Sequence, residues 1–446
     1  MTTVYSARWV LPVSASPIEN GAVAVEGQRI VGVGDRDAIV ERFPWFGIED
    51  LGEAVILPGL INTHTHLELT AMRGYLENEE TDFFAWLRKL TLARLNVLTP
   101  DDLRVSVLWG ACEAVRAGIT CVGDASDSAL ISMKALREVA LRGVVYQESF
   151  GPDPKLVTDN FEKLKGKVHE LRGFESELVR AGVSPHAPYT VCGPQLEKIA
   201  EFAESERLPL MMHAAESEAE ALLLREGCGP FAEGFAKRSI EWNAPGVSTI
   251  QYLKQVGVLR LRPLLAHCIR VDEADIEALR EAGAKVAHCP KSNAKLGHGH
   301  APFAKFVAAG IAVGVGSDSV ASNNTCDMLE EARFATLLAR SDGRLSATDA
   351  LEALTLGGAR CFDLEAAIGQ LKEGFQADLT AVSLTGVHQT PNYDPVATLI
   401  FASSGRDVIM TVVAGREVYR DGCITGVDEN HLRARMSELS VKLRIL

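Results

Sequence analysis

The chain has 446 residues, 47% of them hydrophobic, and carries 45 Lys and Arg against 59 Asp and Glu, a formal charge of −14. That acidic balance, with no basic cluster to interrupt it, repels phosphate backbones and anionic lipid surfaces, so nucleic acid and membrane partners are disfavoured. No apolar run reaches the roughly 18 residues of a membrane span, the first residues lack a secretory pattern, and nine scattered cysteines without a CxxC pair argue for a reducing, cytoplasmic setting.

Residues 3–55 have a short, β-like texture, with runs at 21–25 and 29–34 flanking Glu26-Gly27-Gln28, the pattern of a hairpin. The pattern then alternates. Apolar runs beginning near Ile56, Ile119, Gly143, Ala181, Leu208, Pro263, Ala284 and Ile311 read as eight strands. Amphipathic stretches at 101–117, 195–205 and 272–282 read as helices between them. Asp101 and Asp272 stand where a carboxylate satisfies the free N–H groups of a helix start. Eight strands alternating with helices predict a parallel (β/α)8 barrel. Beyond Ile368 the β texture returns, with strands at 377–382 and 408–413 and a turn at Ala414-Gly415-Arg416. The expectation is an α/β chain: a (β/α)8 TIM barrel over 59–366 and a small β-sandwich built from 1–58 and 367–446, with a terminal helix. Two flanks of one chain can pair because termini often lie close together.

Polar residues at the C-terminal ends of barrel strands face the active side of that fold. The first strand closes on Ile61-Asn62-Thr63-His64-Thr65-His66. In an extended chain, residues two apart point the same way, so both imidazoles can face one metal. The fifth strand closes on Met211-Met212-His213, the sixth on Leu265-Ala266-His267 and the eighth on Gly316-Ser317-Asp318. An ionisable group after an apolar strand is costly unless paired or ligating. Four such strand ends in one chain point to a metal site.

These segments, with Pro58-Gly59-Leu60 before the first histidines, His213-Ala214-Ala215-Glu216, His267-Cys268 and the closing Val413-Ala414-Gly415-Arg416, resemble the amidohydrolase superfamily. The likeness is to the branch that deaminates nucleosides and nitrogen heterocycles. It implies that His64, His66, His213 and Asp318 hold one divalent cation, Zn²⁺ or Fe²⁺, with a position open for water. It implies that His267 orients that water without ligating, that Asp318 also receives the water proton, and that Glu216 protonates the ring nitrogen beside the attacked carbon. The plain alternatives are a helix cap for Asp318 and an exposed carboxylate for Glu216 within the acidic run 216–220. Two-metal relatives usually need a carboxylated lysine at the end of the fourth strand, where Ser184-Pro185-His186-Ala187-Pro188-Tyr189 offers none. One metal is therefore expected, with His186 as a substrate contact or a histidine bonded to backbone. Glu148, at the end of the third strand, has no assigned role.

A cytidine-deaminase type of zinc site is excluded, because Cys289-Pro290 has the wrong order and no second cysteine nearby. His66-Leu67-Glu68 resembles the first motif of aminodeoxyfutalosine deaminases, whereas Ser184 to Thr190 is shared with methylthioadenosine and S-adenosylhomocysteine deaminases. The resemblance implies hydrolytic deamination of an aminated purine nucleoside, aminodeoxyfutalosine first, with methylthioadenosine, S-adenosylhomocysteine and adenosine next. Glu68 is expected on ribose hydroxyls, Trp86 against the base, and Ser292 and Asn293 at the mouth; His298 and His300 lie in a glycine-rich loop. The partner is then a small molecule, with self-association left open. Deamination of a free nucleobase and hydrolysis of a triazine-like ring are the enzymatic alternatives. A metal-free assembly role is opposed by four filled ligand positions.

Overall fold

Small and β-branched residues near the N-terminus form strands β1 (Thr2–Val10), β2 (Ile18–Glu26), β3 (Arg29–Asp35), β4 (Gly47–Asp50) and β5 (Ala54–Pro58) in a computed structural model that describes residues 2–341 and 343–444. β2 and β3 form the expected hairpin, with Gly27 supplying the left-handed turn at φ 58°.

The barrel strands follow: β6 (Leu60–Thr65), β7 (Ile119–Ser126), β8 (Arg142–Ser149), β9 (Val179–Pro185), β10 (Met211–Ala214), β11 (Leu264–His267), β12 (Lys285–His288) and β13 (Ala312–Val315). They pair in parallel as two four-stranded ladders, β6-β7-β8-β9 and β10-β11-β12-β13. A parallel bridge from Val183 to Leu210 joins the ladders on one side. On the other side the Asp318 amide donates to the His64 carbonyl at 2.9 Å. Between the strands run helices such as Pro100–Arg116, Gly193–Glu206 and Glu273–Ala282, two of them started by capping boxes, Thr99 with Asp102 and Asp272 with Asp275.

The apolar run at Ile56 is not the start of the first barrel strand. It belongs to β5, which pairs antiparallel with β14 (Leu379–Ser383), and the barrel begins only at Leu60. Both strands are buried throughout, so one continuous hydrophobic run covers two elements. Gly59 separates them, where a Cβ would lie 2.1 Å from Thr120 Oγ1.

The chain ends return to the first sheet. β14, β15 (Val408–Val413), β16 (Arg416–Arg420) and β17 (Cys423–Ile424) complete nine strands in the order β17-β16-β15-β14-β5-β1-β2-β3, with β4 beside β1. Ile30 N to Phe375 O and Ala377 N to Gln28 O carry the β3 edge back to the segment before β14, closing the sheet over Tyr5, Val25, Ile56, Leu379 and Met410. Its other face packs Val4, Ala22 and Ala24 under Ile39 and Phe46. The terminal helix Glu429–Leu443 docks on the barrel helix Pro100–Arg116 through Glu429 to Arg116 and Lys442 to Asp102.

A buried ion pair ties the sheet to the barrel: Arg142 Nε and Nη2 reach the two Asp378 oxygens at 2.7 and 3.0 Å, and Asp378 also accepts the Ala414 amide. Removing one partner of such a pair strands a buried charge. Asp378→Ala should therefore lower unfolding free energy by about 3 kcal/mol or more in chemical denaturation; a loss below about 1 kcal/mol would remove this pair as the anchor. No helix among the described residues is long and apolar enough to cross a membrane.

Candidate metal centre and active site

Four side chains from the ends of three strands converge. His64 and His66 lie on β6 and just beyond it, their rings edge to face at 4.9 Å. His66 Nε2 is 3.2 Å from His213 Nε2 on β10, and Asp318 Oδ1 lies 3.6 Å from Nε2 of both His64 and His66. One ligating atom from each of the four lies within 4.8 Å of the others.

The ring tautomers point bare nitrogens inward. His213 Nδ1 is 2.9 Å from the His186 carbonyl and therefore carries the proton, leaving Nε2 as a lone-pair donor. His64 Nε2 is buried without a hydrogen-bond partner. A polar atom so placed is costly unless something binds it. Burial pushes the His64 imidazole down to about 4 and His213 well below its ordinary value, so both are neutral at pH 7. Burial opposes ionisation of Asp318, but the imidazoles around it, His64 at 3.6 Å foremost, hold it well below the usual carboxylate range. Three neutral imidazoles and one carboxylate are a donor set that suits a divalent cation.

Asp318 Oδ2 accepts from Ser292 Oγ at 2.5 Å and Ser322 Oγ at 2.8 Å, which turns Oδ1 toward the histidines. Asn293 Oδ1 accepts from His267 Nδ1 at 2.8 Å, which leaves His267 Nε2 bare, buried and facing the same space. Ser292 and Asn293, expected at the substrate mouth, thus stand behind the site. Both are fully buried, with Ser292 Oγ engaged by Asp318 and Asn293 Oδ1 by His267. The backbone is strained at these strand ends: Ala215, His267 and Asp318 have φ of 53°, 73° and 57°. Left-handed non-glycine residues persist where surrounding structure fixes them, often at functional sites.

Glu216 sits between Tyr189 on one side and two imidazoles on the other. Tyr189 Oη donates to its Oε2 at 2.8 Å, and its Oε1 lies 3.7 Å from His267 Nε2 and 3.8 Å from His298 Nε2. The acidic run splits by burial: Glu216 and Glu220 are inside, whereas Glu218 is exposed. Glu220 accepts the backbone amides of Ala215 and Glu216 at 2.9 and 2.8 Å and the Thr249 hydroxyl at 2.9 Å. Burial lifts its carboxyl to about 7. Tyr189 and Glu220 were missed by the sequence reading. Glu220→Gln, with one amide acceptor lost, should lower kcat about tenfold while metal content stays unchanged; unaltered kcat would show that this clamp does not position Glu216.

A cavity of about 530 Å³ opens from this centre, with His66, His186, His213, Glu216 and Asp318 at its inner end and Phe83, Trp86, Leu87, Phe231 and Phe235 along its walls. Trp86 is buried and stacks on Phe83 at 6.1 Å. His186 Nδ1 meets Thr190 Oγ1 at 2.8 Å, and its ring leans on Phe150 at 4.8 Å.

Glu68 corrects the sequence reading. Its oxygens already accept Arg94 Nε at 2.8 Å, Arg94 Nη2 at 3.1 Å, Ser126 Oγ at 2.8 Å and the Ser128 amide at 3.2 Å. A carboxylate with four donors in place is saturated, and it anchors the cavity floor rather than waiting for a ribose. His298 is buried beside Glu216 and Phe83, whereas His300 bonds Ser341 at 2.9 Å.

A family model of the amidohydrolase family matches residues 55–418. The chain belongs to the amidohydrolase family. It is 33% identical over 430 residues to the 5-methylthioadenosine/S-adenosylhomocysteine deaminase of Pelotomaculum thermopropionicum, covering 95% of this chain and 94% of that one. It is 31% identical over 434 residues to the 5′-deoxyadenosine deaminase of Methanopyrus kandleri, covering 96% of each. Among solved structures, a zinc-bound adenosine deaminase from Xanthomonas campestris superposes with a TM-score of 0.87 at 27% identity, over 100% of this chain and 99% of that one. As a member of this family the chain is a hydrolytic aminohydrolase acting on C–N bonds, with a divalent metal site.

Proposed function

We propose that this enzyme deaminates an adenine nucleoside carrying a 5′ substituent, with one Zn²⁺ on His64, His66, His213 and Asp318. The observation that carries this is Glu216 beside the four-ligand cluster at the inner end of the cavity, within reach of Tyr189, His267 and His298. Names of relatives that act on 5′-modified adenosines support the nucleoside. A zinc ion held by that cluster would supply Lewis acidity and lower the pKa of water there to ~7.

The chain's own residues do the rest. Glu216 gives its proton to the ring nitrogen next to the amino-bearing carbon, and Tyr189 keeps the carboxyl aimed there. His267, with Nδ1 held by Asn293, presents Nε2 as an acceptor to the attacking water. Asp318, braced by Ser292 and Ser322, takes one proton from the water and passes it to the departing amine, and the water's second proton returns to Glu216 as the ring carbonyl forms. Trp86 and His186 border the substrate.

The outer walls favour a substituent that is apolar and ends in an anion. The helices Phe83–Asn96 and Pro230–Lys237 pack closely, since a Cβ on Gly234 would lie 3.2 Å from Phe84 Cζ. Arg88 and Arg238 follow one turn after that contact, line the cavity and have no ion-pair partner among the described residues. Aminodeoxyfutalosine, whose substituent is an aryl carboxylate, fits this mouth better than methylthioadenosine. The Arg88→Ala/Arg238→Ala double variant should raise KM for the carboxylate-bearing nucleoside about tenfold and leave methylthioadenosine unchanged. Equal effects on both substrates would remove the anion from the substrate description.

A further inference from the structure

Glu148 is an acid of the inner cavity that the chemistry above leaves unused. It ends near the tip of β8, is 6% exposed and lines the cavity. Its Oε1 is buried with no hydrogen-bond partner. The nearest imidazole, His66, is 3.9 Å away through Nδ1, beyond hydrogen-bond range.

His186 stands next to it with a defined tautomer. The Thr190 hydroxyl spends its single proton on the Ala187 carbonyl, so it accepts from His186 Nδ1, and His186 Nε2 is left as an acceptor. Ligating atoms of Glu148, His186 and His213 lie within 4.8 Å of one another. That trio is a poor second cation site: His213 Nδ1 is committed to the His186 carbonyl and its Nε2 faces His66. Two donors remain, fewer than the three protein ligands of a catalytic zinc site. Two adjacent acceptors at a cavity wall instead call for a ligand that brings two adjacent donors.

We infer that Glu148 and His186 together receive the vicinal hydroxyls of the substrate's sugar, the role that saturated Glu68 is unable to fill. Glu148 is then a specificity-determining residue for ribosides over deoxyribosides. The inference rests on the nucleoside reading, and the two can fail separately.

The test uses the full-length, metal-loaded enzyme and compares an adenine riboside that it deaminates with the 2′,3′-dideoxy counterpart. The wild type should prefer the riboside by at least about tenfold in kcat/KM. Glu148→Gln should lose most of that preference through a higher KM, with the dideoxy substrate and the metal content unchanged. Equal losses on both substrates, reduced metal in the variant, or two metals per wild-type chain would each overturn the assignment. Should the variant fail to fold, the wild-type ratio still decides: no preference for the riboside overturns it. If the wild type deaminates free bases but no nucleoside, the nucleoside reading itself falls.

Discussion

Glu216→Gln should keep its full complement of metal and lose kcat by about 10³-fold. The carboxyl touches no ligating atom of the cluster; its contacts are Tyr189 Oη at 2.8 Å and the more distant ring nitrogens of His267 and His298. Glutamine keeps the shape and accepts the Tyr189 hydrogen bond, but has no proton to deliver to a ring nitrogen. The lost step is therefore proton transfer alone, and the magnitude follows from what a positioned acid contributes. KM should move little, because the substitution leaves the cavity walls intact. Metal analysis beside steady-state kinetics checks both halves, and near-native kcat in the variant would remove Glu216 from the reaction.

The second large effect is on the metal itself. His64→Ala should abolish both metal binding and activity, with no rescue by added Zn²⁺, whereas wild-type enzyme stripped by a chelator should regain activity when Zn²⁺ returns. His64 is completely buried, its Nε2 has no partner inside the protein, and Nδ1 rests 3.4 Å from Met211 Sδ. Loss of one of four ligands leaves an incomplete set, and His267 is held by Asn293 for the water rather than the cation. Retention of close to one metal per chain in His64→Ala would show that the cation is held elsewhere.

How much of this was legible in the sequence depends on how local each signal is. The convergence of His64, His66, His213 and Asp318 could be read because strand periodicity and strand-end position are properties of short segments. The terminal strands were legible as texture, but their union in one nine-stranded sheet depends on pairings such as Thr380 with Leu57, more than three hundred residues apart in the chain. Ser292 and Asn293 were placed near the site, yet their side chains turn toward Asp318 and His267, a direction that chain position does not encode. Glu68 was misread because its partner, Arg94, arrives from a helix that starts at Phe83. The Ile56 run hid a boundary, since burial on both faces erases the alternation that would separate β5 from β6. Glu220 was invisible as a clamp because an acidic run on a helix start ordinarily faces solvent.

Ammonia release by the zinc-loaded enzyme, measured across aminodeoxyfutalosine, methylthioadenosine, S-adenosylhomocysteine, adenosine, adenine, guanine and cytosine, tests the central claim most directly. Release from the adenine nucleosides, strongest where the 5′ substituent carries an anion and about 10³-fold slower in Glu216→Gln, is the predicted result. Release from the free bases alone, or from none of the seven, would contradict it.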